Sequence, residues 1–333
     1  MTMVHCFVTG GNGFVGSHIV RELEKRGHDI TLLLRKSSNL DLISGVSFKT
    51  VTGDVTDFSS LISGIPNDTE WLFHNAAIMA DWGGKQHFFP VNVEGTRNIL
   101  EVVRKKDIPC LIHTSSTAVY GFPNKVEPMV EDDEWKPMNT YQKSKAEAEK
   151  LILEYTETYG VKVTRVRPPT VVGKGDLFTG PQIIERIKNE SMVTFGGGNN
   201  LQSFAHGEDV GSCIVLAAEH FEKSAGNAYN VCSFTSTMRE FIEGIADEVN
   251  AKKKFQNFPY TMALGLGRMA GGLYRAFNRK KAPPITAFVV KLFGSNYVVS
   301  AQKAIHELGF RPKWDLESTV KDMVAWGGYV KPR

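Results

Sequence analysis

The sequence predicts an α/β fold: a doubly wound parallel sheet followed by a smaller C-terminal substrate-binding lobe. Three observations carry this expectation. Short apolar runs alternate with helical patterns through residues 1–175. A glycine-rich turn joins the first run to the first helix. Polar residues gather just behind the ends of the runs, where ligands of open parallel sheets bind.

The elements follow in order. Residues 4–8 form the first strand pattern, and residues 14–26 a helix closed by Gly27 and His28. Residues 30–34, 46–51 and 70–74 supply three more strands. A helix over 92–105 leads to a strand at 110–114, and a Lys/Glu-rich helix over 141–159 leads to another at 163–166. From about residue 175 the strands shorten and glycine becomes frequent, as in Gly196, Gly197 and Gly198. Helices return over 210–219, 238–250, 300–308 and 316–326. The chain therefore divides into a cofactor domain, residues 1–175, and a substrate lobe, 176–333, that partly returns to the main sheet.

The chain has 333 residues, enough for a substantial core. A formal net charge of +3 gives no electrostatic footprint for nucleic acid. Cys6, Cys110, Cys213 and Cys232 lie far apart, which fits reduced core thiols in a cytoplasmic protein. No cleavable signal is read ahead of the first strand. The apolar stretch 260–277 is too short and, with Arg268 and Arg275, too charged to span a bilayer.

Gly10, Gly13 and Gly16 space a G-x-x-G-x-x-G turn that also contains Asn12, Phe14 and Val15. Glycines there permit a tight turn and close approach to a pyrophosphate, and the following helix presents free N–H groups and the positive end of its dipole. In strand–turn–helix context this is a Rossmann-type dinucleotide signature. An acid at the end of the second strand would favour NAD; this chain reads Arg35, Lys36, Ser37 and Ser38. Arg35 is suited to stack on adenine and pair with a 2′-phosphate, with Ser37 as a hydrogen-bonding neighbour. These residues favour NADP(H), with NAD as the alternative; the plainer reading is a solvated basic pair. Asp54, followed by Val55, is placed to accept from the adenine amino group or to cap a helix.

Ser115 and Ser116 follow Thr114 at the end of the fifth run, and Tyr141 and Lys145 open the long helix. Four residues apart, Tyr141 and Lys145 share a helix face. A nearby ammonium is expected to lower the phenol's pKa and make Tyr141 a general acid/base near neutral pH, while Ser116 holds the substrate oxygen. His74, His113 and His206 lack metal-ligand spacing, so no metal is expected.

In this order, the glycine turn, serine strand end and Tyr-x-x-x-Lys pair resemble the extended short-chain dehydrogenases/reductases. That group includes 3β-hydroxysteroid dehydrogenases, dihydroflavonol reductases and nucleotide-sugar epimerases. The resemblance spans nearly the whole chain and implies that Ser116, Tyr141 and Lys145 form a catalytic triad, with Lys145 also at the nicotinamide ribose. It implies that Asn75, Ala76 and Ala77, after His74, line the cofactor together with Thr114. Asn92, in Val91-Asn92-Val93-Glu94-Gly95-Thr96, is structural near the cofactor site by the same resemblance, and Pro168 and Val171 lie in the loop meeting the carboxamide. His206 and Asp209 resemble an F-x-H-x-x-D-V segment and read as a buried hydrogen-bonded pair. A homodimer is common in the group.

Nucleotide-sugar members carry an arginine where Gln202 stands here, and an amide cannot make a charged fork to pyrophosphate. The Asp81-Trp82-Gly83-Gly84 segment with Phe88, and the stretch from Pro283 to Pro312, resemble 3β-hydroxysteroid dehydrogenase-like proteins. The expected reaction is therefore interconversion of a secondary alcohol and a ketone on an apolar, steroid-, terpenoid- or long-chain-keto-like substrate. The alternative is a nucleotide-sugar epimerase or dehydratase holding NAD tightly. Residues 264–277 could roof an apolar pocket, rest on a membrane through Arg275, Arg279, Lys280 and Lys281, or form an ordinary core helix.

Overall fold

The computed structural model describes residues 2–277, 279 and 281–327. Strand β1 (His5–Thr9) enters the glycine turn and helix α1 (Phe14–Lys25), followed by β2 (Asp29–Leu34) and β3 (Lys49–Thr52). Helix α2 (Phe58–Gly64) leads to β4 (Trp71–His74). Helix α3 (Lys85–Phe89) then runs through a π-turn at Pro90–Glu94 into α4 (Gly95–Lys106). The helix expected from residue 92 therefore starts earlier and is interrupted at Asn92, where a wider turn re-aims a side chain. Next come β5 (Cys110–Thr114), β6 (Lys125–Met129), the long α5 (Thr140–Tyr159), β7 (Val163–Arg167) and β8 (Thr170–Val172).

The second half begins with α6 (Thr179–Lys188), β9 (Val193–Phe195), β10 (Leu201–His206), α7 (Gly207–Glu219) and α8 (Phe221–Ser224). It continues through β11 (Ala228–Asn230), β12 (Phe234–Thr237), α9 (Met238–Glu248), β13 (Gln256–Phe258) and α10 (Tyr260–Ala276). It closes with α11 (Ala287–Gly294), β14 (Tyr297–Val299), α12 (Gln302–Leu308) and α13 (Leu316–Trp326).

Among the described residues, the main sheet has seven strands in the order β11-β7-β5-β4-β1-β2-β3, all paired in parallel. Its outermost strand on one side, β11, comes from the second half of the chain. The strands are apolar because helices cover both faces. One face packs Val8, Ile19, Val20 and Leu23 against Val210, Ile214 and Ala217 of α7. The other packs Phe7, Leu72 and Leu111 against Ile99, Leu100 and Ile152 of α4 and α5. A second sheet, β12-β10-β14-β6 with β8 beside β10, stands beyond the carboxyl ends of the main strands.

Helix α5 starts with a capping box: Asn139 accepts from the Gln142 N–H at 2.8 Å, and Gln142 Oε1 accepts from the Asn139 N–H. Two turns on, the fully buried Glu149 locks it to the sheet. Arg167 Nε and Nη2 donate to its two oxygens at 2.8 and 2.6 Å, Arg165 Nη1 donates at 3.3 Å and Ser115 Oγ at 2.5 Å. Arg167 also donates to Tyr120 Oη at 2.7 Å and to the Glu131 carbonyl at 2.9 Å. Breaking such a pair leaves a charge buried without its counter-ion. Glu149→Gln is expected to lower the unfolding free energy by about 3–5 kcal/mol. Urea denaturation measures this; a loss below about 1 kcal/mol, the range of an exposed pair, would contradict the reading.

Candidate active site

The glycine turn is shaped by backbone proximity. Gly10 has φ +69°, and a Cβ there would lie 2.7 Å from the Ala76 nitrogen. A Cβ on Gly16 would run into the Gly10 carbonyl. Gly13 caps α1 with extended backbone, so Phe14, Val15 and Gly16 form its first turn and direct their N–H groups toward the turn. This cradle, too narrow for side chains at Gly10 and Gly16, fits a dinucleotide pyrophosphate. Asn12 closes one side by donating to the Asn39 carbonyl at 3.0 Å. Asn75 closes the other by donating to the Gly10 carbonyl at 3.2 Å, and the Ala76 N–H donates to Thr9 Oγ1. Ala77 is exposed just beyond them.

Arg35, Lys36 and Ser37 stand exposed after β2, with the Arg35 N–H held by Ser38 Oγ at 3.0 Å. Asp54 Oδ1 accepts from the Thr56 N–H and hydroxyl at 2.9 and 2.8 Å. It folds its own turn, and the helix cap anticipated at Asp54 is instead made by Asp57. Val55 is buried and packs with the α4 side of the core.

The catalytic candidates converge from three elements. Ser116 caps a short 3₁₀ turn after β5, accepting from the Ala118 N–H and donating to the Pro168 carbonyl at 3.5 Å. Tyr141 sits in the first turn of α5, buried, in hydrogen-bonding contact with Ser116. Lys145, one turn on and also buried, donates from Nζ to the Thr114 carbonyl at 2.9 Å. Pro168 thus positions the serine, while Val171, on β8 opposite Ala205, is half-buried against the α7 side of the core. The Phe88 ring lies 6.0 Å from the Tyr141 ring, centroid to centroid.

The electrostatics differ from the expected ones in one respect. Burial pushes the Tyr141 phenol up to about 12, opposed only by Ser116. Lys145 does not depress it here, because the ammonium is directed at Thr114. Burial also brings Lys145 down to about 8, opposed by the charge of Glu149 one turn further along the same face. At neutral pH the pair is therefore phenol and ammonium, the proton-donating form of both. Beneath them lie His74 and His113, separate in sequence but paired in register on β4 and β5, with ring centroids 5.3 Å apart. Burial, then the Lys145 charge, brings His74 down to about 3, and burial holds His113 well below its usual range, so both are neutral. Among the described residues no group of three or more His, Cys, Asp or Glu side chains is placed to hold a metal.

Asn92 is a bracing residue. Its amide exchanges bonds with the Ile78 backbone at 2.8 and 3.0 Å and donates to Ser144 Oγ at 2.9 Å. Ser144 in turn donates to the Tyr141 carbonyl at 2.7 Å, which steadies the first turn of α5. With every polar atom of its side chain so used, it supports the site from behind instead of facing a cofactor. His206 and Asp209 are both buried and bonded, but not to each other. His206 Nε2 pairs with Asp322 Oδ2 at 2.9 Å and its ring stacks on Trp314; Asp209 accepts from Ser233 Oγ and the Lys313 N–H. Gln202 is buried and donates to the Ser295 carbonyl.

Sequence reasoning missed Glu149, Arg165 and Ser115. The available signal was the spacing of Tyr141, Lys145 and Glu149, each four residues apart on one helix face.

The chain is 27% identical to a 4-hydroxy-2-methyl-3-oxo-4-farnesyl-3,4-dihydroquinoline-1-oxide ketoreductase of Stigmatella aurantiaca, covering 91% of each chain. It is 29% identical to a 3-beta-hydroxysteroid dehydrogenase of Mycolicibacterium neoaurum, covering 96% of this chain and 90% of that one. The solved structure of gox2253 superimposes with a TM-score of 0.84 at 25% identity, over 99% of this chain and 100% of that one. Residues 6–232 match the NAD dependent epimerase/dehydratase family, the extended short-chain dehydrogenase/reductase group, and the chain belongs to it.

Proposed function

We propose that this chain is an oxidoreductase that interconverts a secondary alcohol and a ketone on an apolar substrate, with NADP(H) preferred over NAD(H). The convergence of Ser116, Tyr141 and Lys145 behind a glycine cradle carries the reading. The exposed Arg35 and Lys36, with no acid at the end of β2, support the 2′-phosphate preference. The commitment of Gln202 to Ser295 and the names of the ketoreductase and steroid dehydrogenase relatives support an apolar substrate over a nucleotide sugar. The four free thiols support a cytoplasmic setting.

A bound nicotinamide dinucleotide supplies or accepts the hydride. Ser116 holds the carbonyl oxygen, and Tyr141 delivers its phenolic proton to that oxygen as negative charge develops. The Lys145 ammonium, held by the Thr114 carbonyl in the free enzyme, is the charge that would stabilise the phenolate left behind once it turns toward the reacting group, and the family resemblance implies its contact with the nicotinamide ribose. In the oxidative direction the same groups run in reverse, with Tyr141 as base.

Tyr141→Phe keeps the ring and removes the proton. It is expected to lower kcat by about 10²–10⁴-fold on a panel of apolar ketones with NADPH, while dinucleotide binding is retained. No turnover by wild type across the panel, or an undiminished Tyr141→Phe variant, overturns the reading. Dinucleotide that stays bound through purification, together with uptake of nucleotide sugars, points to the epimerase alternative.

Fluorescence titration should show NADPH binding more tightly than NADH, with the preference reduced by about tenfold or more in Arg35→Ala. Equal affinities in the wild type would remove NADP(H) from the proposal.

Because the free enzyme needs the Lys145 ammonium, kcat/KM for the dinucleotide should be flat below about pH 8 and fall above it. Glu149→Gln removes a charge that favours the ammonium, so the fall should move to lower pH. A flat profile through pH 9 would exclude the ammonium from the reactive form.

A further inference from the structure

Helix α10 has its apolar face turned the wrong way round. A surface helix ordinarily buries its large apolar side chains and shows polar ones. Here the residues facing inward are Ala263, Gly267 and Gly271, small enough for the helix to lie close against the backbone of Thr286 and Ala287 and near Trp82. The large ones face out: Met262, Leu266, Met269, Leu273 and Phe277 are between 39% and 73% exposed. At 100° per residue these five fall within an arc of about 80°, a stripe about 22 Å long. The core-helix reading of this stretch is thereby corrected, since the described structure buries only the small side.

Charge says what covers the stripe. Residues 249–306 contain ten Lys and Arg and no Asp or Glu, although the whole chain carries only +3. Lys252, Lys253 and Lys254 are engaged with Glu190 and Asp247. Arg268 is exposed on the helix flank about 100° from the edge of the stripe, Arg279 and Lys281 are exposed just beyond the helix's C-terminal end, and Lys280 lies outside the described residues. A second copy of the chain would set this basic surface against itself, and like charges juxtaposed in an interface oppose association. An anionic lipid surface satisfies both halves: the apolar stripe enters the acyl boundary and the basic residues meet the headgroups.

The stripe is also tied to the candidate site. Arg275 lies over the Trp82 ring, Tyr274 meets it edge-on, and Trp82 Nε1 donates to the Arg279 carbonyl at 3.2 Å. Asp81 Oδ2 accepts from Thr286 Oγ1 at 3.4 Å. The Asp81–Trp82 loop leads into α3, whose Phe88 faces Tyr141. We infer that α10 is a peripheral docking surface for anionic membranes, which sets the substrate side of the enzyme at the lipid boundary. The link to a lipid-dissolved substrate rests on the proposed function; the docking does not.

The test is co-sedimentation of the full chain with vesicles of phosphatidylcholine alone or mixed equally with phosphatidylglycerol, at low and high salt. Wild type should partition at least about tenfold more strongly onto the anionic vesicles, and salt should weaken it. Leu266→Glu/Leu273→Glu and Arg268→Glu should each lose about tenfold or more, with thermal stability and NADPH titration unchanged, since these residues are exposed. Equal partitioning on neutral and anionic vesicles, no partitioning, or an undiminished double variant overturns the inference. A concentration-dependent dimer that the double variant breaks, without vesicle binding, assigns the stripe to a second copy and also overturns it. Vesicle binding by a protein inactive on apolar ketones would leave the docking surface standing and remove the substrate reading.

Discussion

The carboxylate of Glu149 has no access to water, and burial alone would keep it protonated; the guanidinium of Arg167 foremost, with Arg165 and the Ser115 hydroxyl, holds its pKa below the usual range. The arginines are on β7 and Ser115 directly follows β5, while Glu149 itself is on α5. The bidentate bond from Arg167 fixes both the distance and the rotation of that helix against the sheet. Because Lys145 and Tyr141 lie one and two turns earlier on the same face, their reach toward the strand ends is fixed by the same clamp. Ser115 belongs to the clamp and Ser116, its neighbour, to the candidate catalytic group. The network therefore sets the phenol, the ammonium and the serine in one frame.

Around that frame, burial does most of the electrostatic work. It disfavours phenolate at Tyr141 and ammonium at Lys145, and it keeps His74 and His113 neutral. The buried Glu149 offsets part of the cost for Lys145. The result is a buried site holding a protonated tyrosine and a charged lysine one helix turn apart at neutral pH. Asn92 and Ser144 hold the first turn of α5 from the other side. The candidate catalytic side chains are few, and those that keep them in place are the buried polar groups beneath.

The dinucleotide cradle was readable from spacing because it depends on backbone proximity at Gly10 and Gly16, which only glycine permits. The Tyr141–Lys145 pair was readable because helix periodicity is local. The main elements were legible for the same reason, with boundaries shifted by a few residues where caps decide them, as at His206, which starts α7 at Gly207 instead of the expected residue 210. Asn92 was expected to be structural near the site, but its partner was not legible, because Ile78 is fourteen residues away and the intervening chain bends through a π-turn. His206 and Asp209 were expected to bond each other, but their partners come from residues 322 and 233.

What the sequence by itself determined is the alternation that builds the parallel sheet, the glycine turn, and the order of serine, tyrosine and lysine. Each follows from neighbours within about one turn or one strand, where local geometry suffices. Only the tertiary structure decided that Glu149 is the counter-charge shared by two arginines, that His74 lies beside His113, and that α10 faces its large side chains outward. Those outcomes depend on which distant segment packs on which face, and periodicity shows an apolar stripe without showing whether it points to the core or to the surroundings.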